Sequence, residues 1–130
     1  MADTMQFDLV SPERKLASAE ASAVSIPGAE GDLTAMPDHT PVITTLRPGI
    51  LRATVGGAMQ EFVVSGGFAE ITPKSVSVLA ERAMAREDVT AAFLDTLEQE
   101  AQSAETPPEM VDAAAKTVAD IAALRAEIGM

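Results

Sequence analysis

Cysteine is absent, and with it go disulfides, thiolate nucleophiles and cysteine-based zinc sites. Tryptophan and tyrosine are missing too, so Phe7, Phe62, Phe68 and Phe93 are the whole aromatic content. Histidine occurs once, at His39, which excludes multi-histidine metal sites and any acid–base pair of histidines. Basic residues are scarce: nine Lys and Arg face twenty Asp and Glu, leaving a net charge of −11. A surface that negative repels phosphate backbones and anionic lipid, which argues against nucleic-acid partners and direct membrane insertion. No apolar run is long enough to span a bilayer, and Met1-Ala2-Asp3-Thr4 does not open a basic-then-apolar leader. The expectation is a soluble intracellular protein.

What the chain does have is 130 residues, 47% of them apolar, enough to build a core from Val, Ile, Leu, Met and many Ala. The hydrophobic period changes once, between Ala83 and Asp88. Before it, Met5–Val10, Ala21–Ile26, Val42–Leu46, Ile50–Val55, Ala58–Ser65, Phe68–Thr72 and Ser75–Ala80 read as strands. They are separated by Pro27-Gly28, Gly31-Asp32, Pro37-Asp38, Pro48-Gly49, Gly56-Gly57, Gly66-Gly67 and Pro73. Closely spaced turn signals with no helix-length gap predict an antiparallel β-sandwich. The Gly56-Gly57 pair suits a two-residue primed hairpin, which needs positive φ.

After Arg86 the period is helical. Val89, Phe93 and Leu97 fall on one face, with Asp88 as the expected N-cap. Thr106-Pro107-Pro108-Glu109 reads as a capping box opening a second helix, whose face carries Val111, Ala114, Val118, Ile121 and Ile128. Gly129 is placed to end it. The fold class is therefore α+β, with a β-sandwich at 1–84 and an antiparallel helical hairpin at 85–130. The seam between the helices reads as mostly Ala and Val. At ~0.8 kcal/mol per buried methylene such a seam is weak, which predicts a firm β domain with a detachable arm. The arm holds three basic and ten acidic residues, the β domain six and ten.

No constellation for catalysis emerges. Glu30 and Asp32 are close, but acidic pairs in a Gly-rich turn are ordinarily solvated. Serine lacks a nucleophile-elbow context, no calcium-loop spacing occurs, and Gly28-Ala29-Glu30-Gly31 puts an acid where a phosphate cradle needs amides and lysine. Catalytic, metal and cofactor residues are thus none. His39, within Pro37-Asp38-His39-Thr40-Pro41, reads as structural or as a surface contact held by its flanking prolines. Ser65-Gly66-Gly67-Phe68 reads as a bulge or a tight strand joint.

Taken in order, Pro27-Gly28-Ala29-Glu30-Gly31-Asp32-Leu33, Pro37-Asp38-His39-Thr40-Pro41, Arg47-Pro48-Gly49, Ser65-Gly66-Gly67-Phe68 and Val76-Ser77-Val78-Leu79-Ala80-Glu81 resemble the epsilon subunit of F-type ATP synthase. The resemblance covers nearly all of 5–82, while the helical part matches in layout only. It implies a non-catalytic rotor part on the cytoplasmic face of the plasma membrane, bound to the gamma subunit and the c-ring and transmitting rotation. Glu30, Gly31 and Asp32 match the ring-facing loop, and His39 matches the loop near gamma and the ring. Some family members bind ATP through an aliphatic–Asp–two variable–Arg–Ala motif. The matching Val89-Thr90-Ala91-Ala92-Phe93-Leu94 lacks the Asp and the Arg, so no ATP binding is expected. Where the family's arm inhibits hydrolysis, it reaches the catalytic head with basic residues. Here the matching region offers only Lys116 and Arg125, so weak regulation at most is expected. The other reading the residues leave open is a stand-alone acidic adaptor, a β-sandwich with a helical partner-binding arm.

Overall fold

The computed structural model describes residues 4–29, 31–37, 40–103 and 111–129, with side chains at 101–103 and 111–115 left aside. Eight strands run β1 (Met5–Val10), β2 (Lys15–Ala21), β3 (Ala23–Gly28), β4 (Gly31–Ala35), β5 (Val42–Thr45), β6 (Gly49–Val55), β7 (Ala58–Ile71) and β8 (Ser75–Ala85). A 3₁₀ turn, Arg86–Asp88, leads into helices α1 (Ala91–Ser103) and α2 (Val111–Ile128). Hydrogen bonding follows the order β2-β1-β8-β7-β6-β3-β4, with β5 also on β7.

One path of strands makes two layers because β7 and β8 are long and bend together. Their register, Phe62↔Ala85 through Ile71↔Val76, stays constant across the bend, so Gly66-Gly67 is a joint and not a bulge. Both glycines have positive φ, and a Cβ on Gly67 would overlap the Leu79 carbonyl. Before the joint β7 pairs with β6, and after it with β5. The two separate strands expected at Ala58–Ser65 and Phe68–Thr72 are therefore one. The inner faces meet in one core, where Phe7, Leu9, Ile71 and Val76 oppose Val24, Ile26, Leu51 and Val64. The Phe7 and Phe62 rings sit 6.4 Å apart within it.

Three departures from expectation have plain causes. β1 pairs with β8 in parallel, because the chain's first strand closes against the domain's last and the intervening strands serve as the crossover. β2 and β4 are additional, and both lie at the ends of the path; their Ala, Ser and Gly content gives little β signal. Asp88 does not cap α1. It ends the 3₁₀ turn, and the Thr90 hydroxyl accepts from the Phe93 amide at 3.2 Å instead. The Gly56-Gly57 hairpin joins β6 to β7 with positive φ at both residues, as expected. Gly129, also at positive φ, donates its amide to the Arg125 carbonyl at the end of α2. The capping box at Thr106–Glu109 lies outside the described residues.

A second core holds the hairpin against the outer face of the sandwich. Ile50, Val63 and Met84 form a row across β6, β7 and β8, and Val89, Leu94, Leu97, Ile121 and Leu124 cover it. The seam is richer in Leu and Ile than the sequence pattern suggests. Full burial of one such side chain contributes about 1.5–3 kcal/mol.

Candidate functional site

The β3–β4 turn is built by a narrow hairpin in which Gly28 pairs with Gly31. A Cβ at Gly28 would stand 2.7 Å from the Gly31 carbonyl, so only glycine lets the two backbones close. Arg47 then fastens the turn. Its guanidinium donates to the Gly28 carbonyl at 2.7 Å and pairs with Asp32. Gly31 and Asp32 are both exposed, so the Asp32 carboxylate is presented at the surface but held in direction by Arg47. The remaining two sequence candidates at this end, Glu30 and His39, lie outside the described residues.

Between this turn and the hairpin lies a cleft of about 460 Å³, with Ala29, Arg47, Glu81, Arg82, Glu100 and Lys116 among its walls. Its cations already have carboxylates: Arg47 has Asp32, Arg82 has Glu100 at 2.9 Å, and Lys116 has Asp120 at 2.7 Å. That arrangement neutralises the cations of the cleft and leaves the Glu81 carboxylate in no ion pair among the described residues. Among the described residues no three His, Cys, Asp or Glu side chains come together as metal ligands. No helix among them is long and apolar enough to cross a membrane.

Lys116 and Arg125, the basic residues of the second helix, both work inside the arm. Lys116 pairs one turn along α2, whereas Arg125 reaches across to Asp95 at 2.6 Å and Glu98 at 3.3 Å on α1. The Asp95 hydrogen bond holds the Arg125 guanidinium above its ordinary pKa. At the far end of the hairpin, a chain of alternating charge runs from Arg86 to Glu61, Arg52 and Glu127, each link within 3.0 Å. The Glu127 hydrogen bond raises the Arg52 pKa, against a smaller lowering by burial.

Sequence reasoning missed Arg47, Arg52, Glu61 and Arg82, since pairs distant along the chain leave no local signal. It also gave no sign that Phe68 and Leu79 stand exposed on β7 and β8. Strand alternation turns both outward, because Ala69, Val78 and Ala80 take the buried positions beside them.

The family model for the β-sandwich domain of the ATP synthase delta/epsilon chain matches residues 4–86. The chain is 56% identical to the ATP synthase epsilon chain of Ruegeria sp. (strain TM1040), covering 95% of this chain and 96% of that one. It is 53% identical to the epsilon chain of Rhodobacter capsulatus over the full length of both. Among solved structures, a chain of the Tetrahymena thermophila mitochondrial ATP synthase central stalk and c-ring aligns at TM-score 0.70 and 18% identity, covering 97% of this chain and 96% of that one. A chain of the Euglena gracilis mitochondrial ATP synthase aligns at TM-score 0.73 and 23% identity, covering 98% and 83%. With a family model over its whole β domain and relatives matching end to end, the chain belongs to the ATP synthase epsilon chain family, a non-catalytic central-stalk component of F-type ATP synthase.

Proposed function

We propose that the chain is the rotor piece that joins the gamma subunit to the c-ring and passes ring rotation to the catalytic head, working peripherally at the cytoplasmic face of the plasma membrane. The observation that carries this reading is the stapled β3–β4 turn. Arg47 clamps Gly28 and Asp32 together, which gives the end of the sandwich a stiff, exposed acidic corner. A torque-bearing contact requires such stiffness, and a carboxylate there suits basic polar loops of a ring. Contacts of this sort fix register and orientation more than affinity. Glu30 and His39 complete the proposed contact set by their position in sequence beside it.

The test is co-purification of a tagged chain from membranes, followed by identification of what accompanies it. Gamma and the c-ring are expected with the native chain. Reversing the corner with Glu30→Lys and Asp32→Lys should deplete the c-ring while gamma stays. Loss of neither, or recovery of unrelated partners alone, would refute the assignment.

A further inference from the structure

Methionine is the chain's main oxidisable side chain, because cysteine, tryptophan and tyrosine are absent. Seven methionines occur, and the four among the described residues sit at three depths. Met36 and Met59 stand 54% and 61% exposed, whereas Met5 is 2% exposed in the sandwich core. Met84 lies between these extremes, half-buried under the hairpin. It ends the Ile50–Val63–Met84 row and packs against the second core, whose arm side is Val89, Leu94, Leu97, Ile121 and Leu124. Among the described residues it is the one sulfur there. Arg82 and Arg86 stand two residues to either side of it, about 7 Å along an extended chain. Both guanidiniums are engaged: Arg82 holds Glu100 of α1 at 2.9 Å, and Arg86 holds Glu61 of β7 at 2.9 Å.

We propose that Met84 is an oxidation site at which a hydroperoxide loosens the arm from the sandwich. Hydrogen peroxide transfers one oxygen to the Met84 sulfur. The O–O bond breaks, a sulfur–oxygen bond forms, the thioether loses two electrons, and the peroxide leaves as water. A flexible apolar side chain thereby becomes a polar, chiral sulfoxide. In the reduced state the thioether suits the irregular gap between strand and helix surfaces. The sulfoxide oxygen is an acceptor, and the second core is made wholly of apolar side chains. Left in place, that oxygen is buried without a partner, which costs stability. Turned toward Arg82 or Arg86, it draws on a guanidinium that Glu100 or Glu61 now holds, and so weakens a tie of the arm or of its linker. Either route favours the undocked arm. Met36 and Met59 oxidise without that cost because they already stand largely in water, and Met5 is shielded. Position singles out Met84. Enzymatic reduction of the sulfoxide resets the arm, so the change is reversible. The site acts within the chain and needs no partner subunit.

The test exposes the purified full-length chain to hydrogen peroxide and follows each methionine by peptide mass spectrometry, with amide exchange read on the same samples. Met36 and Met59 should gain oxygen first, Met84 next and Met5 last. As Met84 oxidises, amide exchange across 91–100 and 117–128 should quicken at least tenfold, while β3 and β6 keep their protection. Treatment with the two methionine sulfoxide reductases, one for each epimer, should restore slow exchange. Met84→Leu should hold the arm protected under peroxide, whereas Met36→Leu with Met59→Leu should respond as the native chain does. The reductase reversal needs no variant, so it decides the matter even where Met84→Leu folds poorly. Met84 left unmodified once Met36 and Met59 are fully oxidised would overturn the inference. So would a Met84 sulfoxide with unchanged exchange, loosening that the reductases do not reverse, a well-folded Met84→Leu chain that still loosens, or sheet and arm losing protection together.

Discussion

Gly67 is the residue on which the shape of the molecule turns. At φ +90° its backbone lies where side chains rarely go, and a Cβ would overlap the Leu79 carbonyl on the paired strand. Gly57, at φ +80° in the hairpin, has open space around the same position. Substituting each therefore separates strain from collision. Gly57→Asn should lower stability by about 1 kcal/mol or less, since Asn tolerates the left-handed region. Gly67→Ala should lower it by about 3 kcal/mol or more, because strain and steric overlap combine. Urea unfolding followed by circular dichroism measures both, and equal losses would show that the joint is not set by this contact. The need for glycine at 66–67 was legible in the sequence, because adjacent glycines between apolar runs mark a backbone requirement. Its form was not, since a register that continues unbroken through a bend depends on Glu81 and Ala80 across the strand pair.

At the scale of elements, helix period and strand alternation located most of the elements and left open what the hairpin packs on. Ile50, Val63 and Met84 occupy the face that period-two patterning reads as solvent-facing, yet each contributes to the second core. A sequence pattern states which residues share a face and leaves open what lies opposite. Truncation after Arg86 uncovers that row. The remaining domain should still unfold cooperatively, with a lower midpoint and stronger binding of a hydrophobic dye; a non-cooperative melt would refute the two-module description. Arg52→Ala should loosen the end of α2 by about 1 kcal/mol, since it removes an exposed pair to Glu127, seen as faster amide exchange near 122–128. The sign of the pH effect is fixed as well. A cation whose folded pKa is raised contributes at every pH below the ordinary arginine range, so Arg52 imposes no change in that exchange between pH 6 and 9. The expectation about nucleotide concerns the start of α1. Thr90 is committed to capping and Phe93 packs against the second core, where a phosphate site requires charged donors. Calorimetry with millimolar ATP should give no saturable heat from the isolated chain.

The whole molecule is acidic, and its full-length match to epsilon chains removes the stand-alone adaptor reading. Its membership was legible because short Gly- and Pro-containing motifs that resemble the family's stand in order along 5–82. The orientation of the arm was not, because it depends on Leu, Ile and Arg pairings distant along the chain. That orientation bears on regulation. To reach the catalytic head the arm must leave the row it covers, break the Arg52–Glu127 and Arg82–Glu100 pairs, and expose Ile50 and Val63. If the hairpin also opens, Arg125 loses Asp95 and Glu98. In return the region 107–130 offers two cations against Glu109, Asp112, Asp120 and Glu127. A conformation is populated only by differential binding, and exposed ion pairs supply ~0–1 kcal/mol each. Burial thus favours the folded-down arm, and electrostatics give little to offset its loss. The expected outcome is that ATP hydrolysis by the reconstituted enzyme rises less than twofold when the native chain is replaced by the chain cut after Arg86, at equal assembly. A several-fold rise would mean that the arm finds a docking surface in the head strong enough to replace the second core.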